Sequence, residues 1–281
     1  MQTIRQLEAL KREMAKLRAE GGRLALVPTM GALHAGHMAL VDHARAHADH
    51  VIASIFVNPM QFGPNEDLSR YPRQEAEDAA MLEAAGVSIL WMPPVEVVYP
   101  PGFATTVSVA GLGDRLCGAN RPGHFDGVAT VVAKLFTQVR PDVAVFGEKD
   151  WQQLAIIRRM AIDLNLDVEI AGAPPVRDAD GLALSARNAY LTPEQRRGAL
   201  ALPDALKAAV DELQSGEAIA AILERTSAKI LAGFDAVDYV ELVDSDTLEP
   251  IESFDREARI LAAARTGGTR LIDNFPAPSK K

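Results

Sequence analysis

Two histidines three residues apart, His34 and His37, close the segment Pro28–His37 (PTMGALHAGH), and the residue types around them suit the holding of phosphate. Gly31 and Gly36 let main chain come close to a ligand. Ahead of this segment the apolar run Arg23–Val27, entered through Gly21 and Gly22, reads as a buried parallel strand. Behind it, Leu40, Val41, Ala44, Ala48 and Val51 recur at three and four, one stripe of a 3.6-residue period, which predicts a helix over 37–49 starting near Gly36 or His37. A helix start carries unpaired N–H groups and about half a positive charge. In a helical turn both imidazoles could donate to one phosphate, as a nucleotide site requires.

The competing chemistry is metal binding, since five of the six histidines lie between 34 and 50 and His43 and His47 have the i, i+4 spacing of zinc ligands. Helical phase, at about 100° per residue, argues against it. It predicts His43, His47 and His50 together on a solvated face and His37 on the side of the apolar stripe. There is no HExxH motif and Cys117 is the single cysteine, so no zinc site is expected.

Four further motifs carry groups of the right kind. In SIFVNPMQF, Asn58-Pro59 ends a strand and Gln61 offers a carboxamide that both donates and accepts. In CGANRPGHFDGV, Arg121 and His124 sit in a Gly/Pro-rich loop, where a guanidinium could grip a carboxylate or phosphate at two points. FGEKDWQQL places Gly147, Glu148, Lys149 and Asp150 at a strand end, with Asp150 and Gln153 at capping-box spacing. RDADGLALSARNAYL carries Ser185 and Arg187 on a polar loop able to close over a triphosphate. Each has a plain structural explanation when taken singly: turn chemistry, helix capping, or a polar linker.

The elements that must position these groups follow from the hydrophobic pattern. Strand-like runs at 23–28, 51–57, 87–92, 143–147 and 167–171 alternate with helical stretches at 37–49, 74–85 (closed by Gly86), 127–139 and 151–164. That alternation predicts an α/β fold with a doubly wound, Rossmann-like parallel sheet, whose ligands sit at the carboxyl ends of strands. Near Pro174-Pro175 the pattern changes to long helices at 193–213 and 217–232 and then to β-branched runs at 237–243, 258–264 and 269–275. A smaller C-terminal α+β domain with a short antiparallel sheet is predicted, giving domains 1–175 and 176–281.

Composition bounds the rest. The chain has 281 residues, 48% of them hydrophobic, and a net charge of −9, which disfavours a nucleic-acid partner and leaves phosphate sites as local basic islands. No run reaches membrane-spanning length, and Ile4, Leu7, Leu10, Met14 and Leu17 predict an amphipathic N-terminal helix rather than a signal peptide. One cysteine fits a reducing, cytoplasmic setting.

Taken together and in this order, PTMGALHAGH, FVNPMQF, RPGHFDGV, FGEKDWQQL and RDADGLALSARNAYL closely resemble the pantothenate synthetase family, whereas the H-x-G-H loop alone resembles the whole nucleotidyltransferase superfamily. The resemblance implies ATP-dependent joining of (R)-pantoate to β-alanine through a pantoyl adenylate, with Mg²⁺ accompanying ATP and a homodimeric enzyme. It implies an ATP site from Met30, Gly31, Ala32, Leu33, His34, Ala35, Gly36 and His37, with Gly147, Glu148, Lys149, Asp150, Val176, Leu184, Ser185, Ala186 and Arg187. His37, His34 and Lys149 would be catalytic; Gln61 and Gln153, with Asn58 and Arg121 in the same motifs, would serve pantoate and β-alanine. The family often reads Met-Ser-Ser-Arg-Asn where this chain reads Leu184-Ser185-Ala186-Arg187-Asn188, which removes one hydroxyl and a hydrogen bond worth about 1 kcal/mol.

The chemistry fits the residue types. Pantoate's carboxylate is ionised at neutral pH, so its attack on the α-phosphate needs positioning and charge neutralisation rather than a base. The later attack by an amine needs a neutral nucleophile, and the sequence assigns no base to it. Two rival readings stay open here: a nucleotidyltransferase that keeps the AMP adduct as product, and a non-catalytic nucleotide-binding module.

Overall fold

Parallel neighbours need long crossovers, and in the first 174 residues helices supply most of them. The computed structural model describes residues 1–64 and 66–278. Strand β1 (Gln2–Ile4) and helix α1 (Leu7–Ala19) come first, then β2 (Leu24–Thr29), α2 (Ala35–Arg45) and β3 (His50–Ile55). Next are α3 (Glu75–Ala84), β4 (Ile89–Trp91) and two single turns, α4 (Val95–Val98) and α5 (Cys117–Asn120). They lead to α6 (His124–Val139), β5 (Val143–Gly147), α7 (Trp151–Asp163) and β6 (Glu169–Ala173).

The six strands form one sheet in the order β1-β4-β3-β2-β5-β6, every pairing parallel, as the α/β pattern predicts. From β2 the chain winds outward through β3 and β4; from β5 it winds the other way to β6. The order therefore reverses between β2 and β5, and a doubly wound sheet opens a ligand crevice at the carboxyl ends flanking such a reversal. Those ends are Thr29 and Gly147. Leu24–Val27 are fully buried, as a strand covered on both faces demands, and Ala25 and Val27 pack with Val41, Ala44, Val51, Leu82, Leu90 and Val143.

The chain divides into two compact units: Met1–Glu148 with Ile156–Pro174, and Lys149–Ala155 with Pro175–Lys281. The expected boundary put all of 1–175 in one domain, whereas the segment 149–155 clusters with the second unit. That unit holds α8 (Pro193–Ala199), α9 (Ala201–Leu213) and α10 (Ile219–Leu231), with an antiparallel sheet of β7 (Ala236–Asp244), β8 (Ala258–Thr266) and β9 (Thr269–Ala277). Leu202, Leu206, Ile222, Ile230, Leu242 and Ile260 are its core. Gly267 and Gly268, both at positive φ, make the two-residue β8–β9 turn.

Three local expectations change. Residues 2–4 are an edge strand rather than helix, a piece too short to show a period. The predicted helix 193–213 is two helices meeting at Leu200, because Pro203 lacks an N–H and its ring would clash with the carbonyl four residues back, at Ala199, where α8 ends. Helix α2 begins at Ala35 and ends at Arg45, so His50 belongs to β3 and has no place in a helical phase. Among the described residues no helix is long and apolar enough to cross a membrane.

Candidate active site

The turn out of β2 is shaped by two successive left-handed residues, Gly31 (φ 85°) and Ala32 (φ 52°). Such a conformation costs alanine about 1–2 kcal/mol. The buried carboxylate of Asp78, on α3, accepts the Ala32 amide at 2.9 Å and the Leu33 amide at 2.8 Å. Hydrogen bonds to a charged group contribute about 1.5–3 kcal/mol each, enough to outweigh the strain. A Cβ on Gly31 would lie 3.0 Å from Asp78 Oδ2 and 3.2 Å from an Ile55 methyl, so a side chain there would be strained in φ and would press both neighbours back by a few tenths of an ångström.

His34 then caps α2. Its Nδ1 accepts the Gly36 amide at 3.1 Å, while Nδ1 of His37 accepts the His34 amide at 3.3 Å, and the two rings lie 4.1 Å apart. Both Nδ1 atoms are acceptors, so in the neutral rings the proton sits on Nε2. The helix start thus presents its N-terminal dipole with two imidazole donors on one turn, beside a carboxyl strand end at the sheet's reversal point.

A second cradle surrounds Gln61, at the end of the short turn Pro59–Gln61 after β3. The Asn58 carboxamide is buried and saturated: its nitrogen donates to Gln61 Oε1 and to the Gly127 carbonyl, each at 3.0 Å, and its oxygen accepts Tyr99 Oη at 2.7 Å and the Met60 amide at 3.2 Å. Burial pushes the Tyr99 phenol well above its ordinary pKa, keeping it a neutral donor. Gln61 Nε2 in turn points to Met30 Sδ at 3.2 Å. Gly127 is essential to this packing, since a Cβ there would come within 2.3 Å of the Met60 carbonyl oxygen. Asn58, expected among the substrate contacts, has its polar atoms bonded inside the protein and holds Gln61.

Arg121 belongs to the same cluster. Its Nε and Nη2 donate to the two Glu66 carboxylate oxygens at 2.7 and 2.6 Å, and its Nη1 lies 2.9 Å from His124 Nε2. Because His124 Nδ1 meets the Gln61 carbonyl at 2.8 Å, an acceptor, Nδ1 bears the hydrogen and Nε2 receives the Arg121 donor. Burial alone would raise Glu66, but the hydrogen bonds and charge of Arg121 bring its carboxyl below the usual range. The guanidinium thus pairs with a carboxylate and reaches the Gln61 carbonyl at 3.3 Å. His124 opens α6 instead of lying in the preceding loop.

In the second unit, Lys149 and Asp150 end a single 3-10 turn, Glu148–Asp150, that runs into α7, with Gln153 half-buried in the first helical turn. Asn274 donates to the Lys149 carbonyl at 2.8 Å, and Arg259, stacked 3.5 Å over the Trp151 ring, bonds Asn274 Oδ1. Lys149 is therefore held through its main chain. The loop carrying Val176 and Leu184–Arg187 was expected to be mobile, yet its base is fastened. Arg177 makes a two-point ion pair with buried Asp273 at 2.6 and 2.9 Å, and Arg196 grips Asp178 and Asp180. The Leu184 amide donates to the Val176 carbonyl, and the Ser185 hydroxyl caps the 3-10 turn Ala186–Tyr190 by accepting the Arg187 amide at 3.3 Å.

Sequence reasoning missed Asp78, Tyr99 and Glu66. The signal for Asp78 was present, because it lies four residues before buried Leu82 and so on the inner face of α3. The expected solvated face of histidines also changes: His43 and His47 are half-buried, stack at 4.6 Å and are joined by His47 Nδ1 to the His43 carbonyl at 2.8 Å.

The model of the pantoate-beta-alanine ligase family matches residues 2–276. A pantothenate synthetase of Rhizorhabdus wittichii is 60% identical over 282 residues, covering 99% of this chain and 100% of the relative; one of Sphingopyxis alaskensis is 61% identical over 277 residues, covering 98% and 99%. The crystal structure of pantothenate synthetase from Thermus thermophilus superposes with a TM-score of 0.94 at 46% identity, covering 99% of this chain and 100% of that one. Pantoate-beta-alanine ligase from Francisella tularensis, solved with beta-gamma ATP and beta-alanine, gives 0.83 at 32% identity, covering 99% and 98%.

Proposed function

Since the chain belongs to the pantoate-beta-alanine ligase family, we propose a residue-level course for the reaction this membership entails. The protein is an enzyme that forms pantothenate from pantoate and β-alanine at the expense of ATP. The course is acyl transfer through a pantoyl adenylate. Pantoate's carboxylate oxygen attacks the α-phosphorus, pyrophosphate leaves, and the β-alanine amine then displaces AMP from the acyl carbon.

The observation that carries this reading is the histidine-capped start of α2, with both Nδ1 atoms fixed as acceptors and Nε2 as donors. Charge grows on the phosphate oxygens as the P–O bond breaks. Donors already oriented by the backbone stabilise that charge without reorganising. In this reading His34 and His37 donate to the phosphates, Gly31 to Gly36 supply main-chain amides, and Gln61, held by Asn58, orients pantoate. Lys149 and Arg187 contribute cations to phosphate oxygens, and Asp150, Val176 and Ser185 contact the nucleoside and phosphates. Gln153 joins Gln61 on pantoate.

Mg²⁺ would neutralise charge on the polyphosphate. Among the described residues no three His, Cys, Asp or Glu side chains gather as a metal cage. Magnesium bound through phosphates and water needs only one or two protein oxygens, so this donor set fits an ion carried by the nucleotide. A cytoplasmic homodimer is the remaining part of the proposal, supported by the family resemblance and by a lone, buried cysteine, Cys117.

Labelled pyrophosphate should exchange into ATP only when pantoate is present, and AMP should appear only on adding β-alanine. Exchange that ignores pantoate, or AMP release without β-alanine, would overturn the adenylate course. Sedimentation should return twice the monomer mass, and a single-chain mass would remove the dimer.

A further inference from the structure

We propose that Asp78 is a positioning residue for adenylate formation, setting the phosphate-binding turn through the amides of Ala32 and Leu33; this rests on the reading that His34 and His37 meet the phosphates of ATP. Asp78 is 1% exposed and belongs to a different element, α3, from the loop it serves. Its two oxygens each take one amide, Oδ2 from Ala32 and Oδ1 from Leu33. Those amides belong to a left-handed alanine and to the residue immediately before His34. The direction in which His34 enters its cap is thereby fixed from outside the loop.

The alternative is that the carboxylate merely satisfies buried amides, as part of the packing. Two observations argue for more. Ala32 is not glycine, so its positive φ is held by neighbouring structure rather than by intrinsic preference. A Cβ on Gly31 would press on Asp78 Oδ2 at 3.0 Å, so the carboxylate also fits closely beneath the first left-handed residue. Helix α3 is tied in turn to the N-terminal segment by Arg5–Glu75 at 2.7 Å and by the terminal amine on Glu83 at 3.1 Å. The brace is a helix in the body of the sheet, not a neighbouring loop.

Asp78→Asn is the discriminating change, because a carboxamide fills the same volume but turns an NH₂ donor toward one of the two amides. In the full-length enzyme it should lower kcat for pantoate-dependent pyrophosphate exchange by about tenfold or more and raise KM for ATP, leaving KM for pantoate within about twofold. Adding Ala32→Gly to that variant should restore at least a third of the lost kcat, since glycine adopts the turn without a brace. Ala32→Gly alone is the reference against which recovery in the double variant is read. A variant with reduced kcat but unchanged KM for ATP, or a double variant with no recovery, would show a loss of active fraction and overturn the proposal. Hydrogen exchange on the wild-type enzyme needs no variant: the Ala32 and Leu33 amides should exchange far more slowly than exposed ones, and fast exchange would equally overturn it. Wild-type enzyme without pantoate-dependent exchange would instead sink the adenylate reading itself.

Discussion

At the scale of single residues, the imidazoles of His34 and His37 are each fixed by a main-chain amide at Nδ1. His37→Ala should cut the single-turnover rate of adenylate formation by about 10²-fold or more while the thermal midpoint falls only slightly, since the cap it completes is worth about 1 kcal/mol. A near-normal rate would refute its assignment. Gln61→Ala should chiefly raise KM for pantoate. Asn58→Ala should raise it by roughly tenfold through the unheld Gln61, since the buried Asn58 carboxamide holds Gln61 Oε1. Pantoate titrations of both variants check this, and an unchanged Asn58→Ala would leave the Asn58 bonds as packing alone. The types His34, His37 and Gln61 were legible because their motifs are short and local. Sequence shows the chemistry of Asn58 and Arg121 but not their partners in the fold, Tyr99 and Glu66.

At the scale of elements, the site depends on close main-chain approaches that only glycine permits. Gly127→Ala, on α6, would push its methyl into the Met60 carbonyl and displace the turn holding Gln61. A cost of about 1–3 kcal/mol is expected, together with weaker pantoate binding; urea unfolding and KM for pantoate check both. The helices and strands themselves were readable from periodicity, including the β2–α2 junction and the β8–β9 hairpin. The break at Leu200 was recoverable from Pro203, whereas β1 was not, because three residues carry no period. The loop 176–187 reads as polar linker in sequence, and its fastening through Arg177 and Asp273 joins residues ninety-six apart in the chain.

Across the whole molecule, a chain with net charge −9 must place its carboxylates carefully, and several are held ionised by the fold. Burial would raise Glu66 and Asp238, but hydrogen bonds from Arg121, and from Arg265 and Arg270, bring both below their ordinary values of 4.5 and 3.8. Asp244 is lowered mainly by the Thr247 amide, against some burial. A folded-state pKa below the unfolded one means that the unfolded chain binds protons first as pH falls. The stability these groups contribute is complete above the unfolded values and disappears as pH drops through the lowered ones. Urea midpoints should therefore hold between pH 7 and pH 5 on their account and decline below about pH 4. A midpoint insensitive to acid would contradict these shifts.

Hydrophobic period and turn chemistry are local quantities, so the sequence by itself determined the alternation of elements, the doubly wound parallel sheet, the antiparallel hairpin and the motifs that place the chain in its family. Strand order is a choice among distant pairings, and only the tertiary structure decided that β2 and β5 lie side by side at the reversal point. The same is true of the histidine pair. Its spacing predicts a phosphate site at Pro28–His37, but Asp78, more than forty residues away along the chain, bonds the turn that leads into His34. A buried carboxylate seeks its donors in space rather than in sequence, and no local pattern records which ones it will find.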